Sequence, residues 1–279
     1  MTLRTCLLGS LLVTLGCGGA AADAPLDPAP SPGEPSIGVP PESDRASNED
    51  PAWGCLAAAK TTGLPAAQIQ IDLAVRDMLG FPVGGVPVRA CVAADDAACG
   101  EARTGQTSRE GRVLLQVPAG SHGFAGYFEI ARPGDLMNLV FASPPIARDV
   151  AEYTRSYWSQ EDLAQMSALA GVVRVGGRGS VILGTTDCRN DGSAGVGVGM
   201  TVTPWPAGAE VAYTRQQGGG VGVTTTETRT DATGTAAIFN LPEGRYEITG
   251  KLVGGRVVGR ATLHVRQDAL STLTIGPAR

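Results

Sequence analysis

Short apolar runs and apolar–polar alternations, broken every few residues by Gly, Pro or Asp, dominate the chain from residue 52 onward. That is the pattern of many short β-strands. Residues 230–248 show it most clearly. Asp231 to Gly234 is a turn signal, residues 235–241 form an apolar run of strand length, and Pro242-Glu243-Gly244 is a second turn. Tyr246 and Ile248 then alternate with charged neighbours, as in a half-buried strand. Two strands so punctuated predict an antiparallel unit of a small β-sandwich. A related stretch occurs at residues 107–130. There Gly111 answers Gly234, Val117-Pro118-Ala119-Gly120 answers Leu241-Pro242-Glu243-Gly244, and Tyr127-Phe128-Glu129-Ile130 answers Tyr246-Glu247-Ile248. The differences in spacing fall in loops, so the chain is expected to hold two related β modules. Further strands are predicted at 69–75, 86–92, 112–117, 136–141, 181–183, 195–202, 211–213 and 272–275, with 216–222 a glycine-rich hairpin end. One stretch switches to a helical period. Ser159 can cap it, Glu161 and Asp162 suit its first turn, and Gly171 stops it. This predicts a helix over 160–170, packed on a sheet or bridging the modules.

These turns resemble those of the carboxypeptidase-regulatory-like domain, a transthyretin-like (prealbumin-like) β-sandwich. The second module carries the D-x-x-G turn in Asp231 to Gly234 and the L-P-x-G-x-Y closing hairpin in Leu241 to Tyr246. The first carries the G-x-P-V-x-G-V-x-V type hairpin in Gly80-Phe81-Pro82-Val83-Gly84-Gly85-Val86-Pro87-Val88. The resemblance covers about two-thirds of the chain and rests on turn chemistry. It implies a mostly β fold of two tandem transthyretin-like sandwiches joined by a short helix-containing segment, and it implies no peptidase activity.

The first 51 residues read differently. Arg4 precedes an apolar core over 6–15, too short to span a bilayer, as in a secretory signal. Val13-Thr14-Leu15-Gly16-Cys17 resembles a bacterial lipobox, with Thr14 where Leu is usual. The resemblance implies cleavage before Cys17 and a lipid on that cysteine. The alternative is an ordinary signal cleaved after Ala20 or Ala22. Residues 18–51 are rich in Pro, Ala, Ser and acids, and bury too little apolar surface to offset their ordering entropy. They are expected to form a disordered tether reaching at most ~100 Å. The expected organisation is therefore a signal peptide (1–16), a tether (17–51), a first module (52–150), a helix-containing linker (151–178) and a second module (179–279).

Charge supports the division. The chain carries 27 acids and 22 bases, of which seven and two lie in residues 1–51, leaving 20 of each in the body. A formally neutral body lacks the basic footprint that nucleic acid requires. After the signal, no stretch is long and apolar enough to span a membrane.

Of the six cysteines, Cys6 leaves with the signal and Cys17 is the lipid site, leaving Cys55, Cys91, Cys99 and Cys188. An even number in an exported chain reads as disulfides with three connectivities open. Cys91 and Cys99 bracket a polar loop and form the natural local pair, worth ~2 to 3 kcal/mol in the chain-entropy model. Cys55–Cys188 then follows by elimination. Free thiols or another pairing, such as Cys55–Cys91, are the alternatives.

Candidate chemistry is sparse. The two histidines, His122 in a loop and His264 on a predicted strand, belong to no H-E-x-x-H or cysteine-flanked ligand set, and no G-x-S-x-G elbow supports a hydrolase triad. Asp187-Cys188-Arg189-Asn190-Asp191-Gly192 only loosely matches a calcium loop. Cys188 and Arg189 interrupt the oxygen ligands, so a turn pinned by a disulfide is the better reading. Gly195-Val196-Gly197-Val198-Gly199 leads into a strand, whereas a phosphate-binding fingerprint opens a helix. No cofactor or metal site is expected. Trp205, between Pro204 and Pro206, could stack on a sugar or cover the end of the sandwich; Trp158, beside the helix cap, reads as a packing anchor. The sequence thus points to a non-enzymatic interaction or scaffold protein, lipid-anchored in the outer membrane, whose partner is an envelope or extracellular protein or polysaccharide. A carbohydrate-binding module is the first alternative and an envelope peptidase or hydrolase the second.

Overall fold

The alternating segments form strands in a computed structural model, which describes residues 51–57, 67–94, 99–100, 102–121, 123–189, 193–217 and 220–277. The expected signal, most of the expected tether, the expected lipid site Cys17, and His122 lie outside the described residues. All the described residues belong to one compact unit, Ser43–Arg279. Its strands are β1 (Gln68–Arg76), β2 (Pro87–Cys91), β3 (Ala102–Gln106), β4 (Arg112–Pro118), β5 (Tyr127–Ile130), β6 (Met137–Phe141) and β7 (Val150–Ser156). After helix α1 (Gln160–Leu169) come β8 (Gly179–Thr185), β9 (Gly199–Thr203), β10 (Glu210–Gln217), β11 (Gly220–Thr224), β12 (Thr235–Leu241), β13 (Gly244–Lys251), β14 (Val257–Val265) and β15 (Ala269–Ile275). The fold is mostly β, with a single α-helix among the described residues.

The two modules repeat one topology. In the first, β1 pairs antiparallel with β4 and parallel with β7, while β5 pairs antiparallel with β2 and β6. In the second, β8 pairs antiparallel with β12 and parallel with β15, while β13 pairs antiparallel with β9 and β14. The repeat reaches individual hydrogen bonds. The buried Thr107 hydroxyl donates to the Val83 carbonyl and accepts from Val86 N–H; the buried Thr230 hydroxyl donates to the Gly195 carbonyl and accepts from Val198 N–H. Gly111 and Gly234 both take the left-handed backbone (φ 74° and 62°) that a D-x-x-G-type turn requires, and both carbonyls accept at 2.7 Å, from Val75 and Thr185 N–H. Gly195 to Val198 is therefore the second module's counterpart of Val83 to Val86.

The turns expected to close hairpins instead carry the chain between layers. β12 and β13, on either side of Pro242-Glu243, lie in different sheets, and the same holds for β4 and β5 and for β1 and β2. The reason is that Ile238 and Leu241 on β12 and Tyr246 and Ile248 on β13 are all buried in one core, which they reach only by facing each other across the sandwich. Asn240 in the left-handed region (φ 61°) and a register shift after Ile238 turn the strand out of its sheet. The Tyr246 hydroxyl then donates to the Pro242 carbonyl at 3.1 Å and holds the arch.

The modules are not separate bodies. The last strand, β15, lies between β8 and β6 and runs parallel to both. It fuses one sheet of each module into a nine-stranded sheet, β11-β10-β12-β8-β15-β6-β5-β2-β3. The sheet β4-β1-β7 covers the first module's half of this sheet, with Ile71, Leu73 and Val75 packed against Phe128, Ile130 and Val140. The sheet β14-β13-β9 covers the opposite face, with Ile248 and Leu263 in one core with Leu139, Leu183 and Leu273. Each such buried side chain contributes about 1.5–3 kcal/mol. The domain boundaries differ accordingly from expectation. Val150–Ser156, mostly assigned above to the linker, is strand β7 of the first sandwich. Residues 52–57, expected to open the first module, dock on the second: Trp53 is buried in its core, and Cys55 is bonded to Cys188. The second disulfide joins Cys91 to Cys99.

A charged clamp also crosses the junction. Glu129 on β5 is buried, and its two carboxylate oxygens meet Arg266 Nη1 at 2.5 Å and Arg89 Nη1 at 2.9 Å. Arg266 follows β14 and also donates to the Tyr127 hydroxyl.

Candidate binding groove

Helix α1 forms where expected. The Ser159 hydroxyl accepts from Asp162 N–H, and the Asp162 carboxylate accepts from Ser159 N–H, closing a capping box. Leu163, Met166 and Ala170 bury against Ile182, Ala237, Phe239 and Leu270 of the nine-stranded sheet. Register fixes which face this is. Val140, under the β4-β1-β7 sheet, pairs with Thr272, whose near neighbour Leu270 lies under α1. The helix and the three-stranded sheet thus cover the same face side by side.

Between these two covers a cavity of about 620 Å³ opens. Its floor is the bare sheet at Ile182, Gly184, Thr235, Thr272 and Thr274. One wall is the edge of β7, Thr154-Arg155-Ser156, with Met78 beside it. The other is α1, through Gln165, Met166 and Leu169, and Val221 and Val223 of β11 complete it. Trp158, where β7 passes into α1, lines the same cavity. It is pinned from below by buried Asn138, whose Oδ1 accepts from Trp158 N–H (2.9 Å) and whose Nδ2 donates to the Trp158 carbonyl (3.0 Å). Met78, Leu169 and Val221 stand exposed at the rim, and Leu79 and Phe81 of the Met78 loop are also exposed.

The walls are mostly apolar, and their charges are unequal. The Asp162 carboxylate is spent on the helix cap. Arg155 is half-buried, with its guanidinium 3.6 Å from the centre of the Tyr153 ring and Nη1 donating to the Thr154 carbonyl at 2.7 Å. No carboxylate of the described residues lies within ion-pair distance of it. Burial pushes the Tyr153 hydroxyl pKa up, partly offset by Arg155. Tyr157, just past the end of β7, donates to Asp135 Oδ2 at 2.7 Å; burial first and this bond second push its pKa up to about 12. Burial pulls Asp135 upward, but bonds from Tyr157, Leu136 N–H and Gln160 N–H, together with Arg132, hold it below its ordinary value.

The residues singled out in the sequence lie elsewhere. Trp205, 54% exposed, stands in the loop between β9 and β10, away from the groove lining. His264 is half-buried on β14, its Nε2 3.8 Å from Glu243 and without a hydrogen bond. Asp187 is buried and bonds Arg189 through both backbone and guanidinium, so its oxygens serve the local turn. Glu129 lies beside the Cys91 and Cys99 sulfurs, but those sulfurs are bonded to each other and both its oxygens are held by arginines, so the group offers no ligand set. The groove itself escaped sequence reasoning, because strands distant in the chain build it. Its local trace is Asn138, a polar residue inside an apolar run.

No family model and no curated protein matches this chain. Among solved structures, it is similar to the Bacillus anthracis TIE protein, at 13% identity and TM-score 0.24, over 75% of this chain and 34% of that one. It is similar also to GBS52, the minor pilin of Streptococcus agalactiae (14% identity, TM-score 0.23, covering 74% and 94%). A third is the shaft pilin spaA of Lactobacillus rhamnosus GG in its D295N form (11% identity, TM-score 0.24, covering 76% and 99%). The chain spans about a third of the length of the first. No helix among the described residues is long and apolar enough to cross a membrane.

Proposed function

We propose that this chain is a lipid-anchored, non-enzymatic interaction scaffold of the cell envelope. Two carboxypeptidase-regulatory-like modules would hold a binding groove clear of the outer membrane at the end of a tether from Cys17. The observation that carries this reading is the continuous nine-stranded sheet. Two modules joined by strand pairing, rather than by a linker, make a stiff body whose groove is built from both. The buried carboxylates Glu129 and Asp187 are spent on structural ion pairs, which suits a scaffold better than a catalyst. The test is protease accessibility on intact cells together with membrane fractionation, comparing the wild type with Cys17→Ala. Release of the Cys17→Ala body from membranes supports the anchor; retention overturns it. Digestion of the cell-bound wild type on intact cells assigns it to the outer surface, and digestion only after the outer membrane is opened assigns it to the periplasm. Trp205 favours a second reading, glycan binding, because it is exposed between two prolines. A change in tryptophan emission on a glycan panel that Trp205→Ala abolishes would support it.

A further inference from the structure

We propose that the groove between β7 and α1 binds a single long acyl chain ending in a carboxylate, the hydrocarbon lying along the floor and the head group on Arg155. The cavity has the size of a small-molecule site, and its walls supply the body of such a ligand: Trp158, Met166, Leu169, Ile182 and Val223. Arg155 is half-buried, held on the Tyr153 ring and the Thr154 carbonyl with no acid partner among the described residues, and its other guanidinium N–H groups can serve a bound carboxylate. The other charge at the rim, Asp162, has its carboxylate turned to the Ser159 N–H in the capping box and forms no ion pair with Arg155, so Arg155 is the one cation among the lining residues.

An extended peptide fits less well. Its amides would find backbone partners along the β7 edge on one side only, while the floor answers with side chains of Ile182, Thr272 and Thr274. A hydrocarbon chain leaves no amide unpaired. This inference rests on the groove being the binding surface of the proposed scaffold, but not on the Cys17 anchor.

The test uses the folded chain carrying Trp205→Phe, so that ligand-induced changes in tryptophan emission come from Trp158, with Trp53 a buried constant. Palmitate, hexadecanol and an apolar peptide with a free C-terminal carboxylate are titrated in turn, with calorimetry for stoichiometry. Saturable one-to-one binding of palmitate is expected, at least tenfold weaker for Arg155→Gln and partly restored by Arg155→Lys, with hexadecanol affinity unchanged by either. Leu169→Glu, at an exposed position that folding tolerates, is expected to abolish binding. No saturable binding, palmitate binding insensitive to Arg155→Gln, or tighter binding of the peptide would each overturn the proposal. None of these outcomes bears on membrane release of Cys17→Ala, so the two readings fail separately.

Discussion

The clamp at Glu129 is the most exposed test of the two modules acting as one body. Glu129 is 6% exposed and lies on the first module, while Arg266, whose side chain is 16% exposed, reaches it from the second at 2.5 Å. Two charges about 3 Å apart attract by roughly 5 kcal/mol at an effective dielectric near 20, and part of that is offset by desolvation. Removing one partner also strands the other, so Glu129→Gln is expected to cost about 3–5 kcal/mol. Arg266→Met is expected to cost a similar amount, since it leaves Glu129 with only the more exposed Arg89 and breaks the bond to Tyr127. The double variant removes both charges and is expected to cost well under the sum, with a coupling of at least 1.5 kcal/mol. Urea unfolding followed by far-UV circular dichroism and by tryptophan emission measures each stability. A single coincident transition is expected for the wild type, because Tyr127, Leu139 and Phe141 of the first module share a core with Leu263 and Leu273 of the second. Additive single effects, or a cost for Glu129→Gln below about 1 kcal/mol, would show that the clamp does not join the modules.

Other consequences can be checked on the same preparation. Cys55–Cys188 spans 133 residues and Cys91–Cys99 eight, so replacing the first pair by alanine should cost more, by about 2.5 kcal/mol in the chain-entropy model; equal midpoint shifts would contradict this. Gly111→Ala puts a side chain at positive φ with its Cβ 2.5 Å from the Val75 carbonyl, and a loss of about 2 kcal/mol or more is expected, whereas Gly80→Ala, also at positive φ but in open space, should lose about 1 kcal/mol. Tyr157 keeps its proton in the folded chain to about pH 12. The unfolded chain ionises near pH 10, so stability should fall between these values and the fall should be shallower in Tyr157→Phe, as read from urea midpoints against pH. Asp135 and Asp231 are held below their ordinary values, Asp231 because bonds from Thr233 and Gln216 N–H outweigh its burial. Their stabilisation is therefore present above about pH 4 and lost on acidification, and Asp231→Asn should flatten the acid limb.

Much of the molecule was legible along the chain, and the legible parts are local. Strands such as β1 and β12 follow from alternation or apolar runs, α1 from its cap and its Gly171 stop, and the turns at Gly111 and Gly234 from a backbone conformation that side chains resist. The relation between residues 107–130 and 230–248 extends, in three dimensions, to matching threonine bonds. The local cysteine pair and its remainder also correspond to the two disulfides. What the residues did not reveal is where each strand goes after its turn. A Pro-Glu-Gly turn reads alike whether the chain folds back within a sheet or crosses to the facing one, and the choice falls to the apolar faces of β12 and β13, which bury only against each other. The placement of β15 beside β6, the docking of Trp53 on the second module, the clamp at Glu129 and the groove over Ile182 and Thr272 all join residues far apart in sequence. Burial across the finished sandwich decides these contacts, and no spacing along the chain records it.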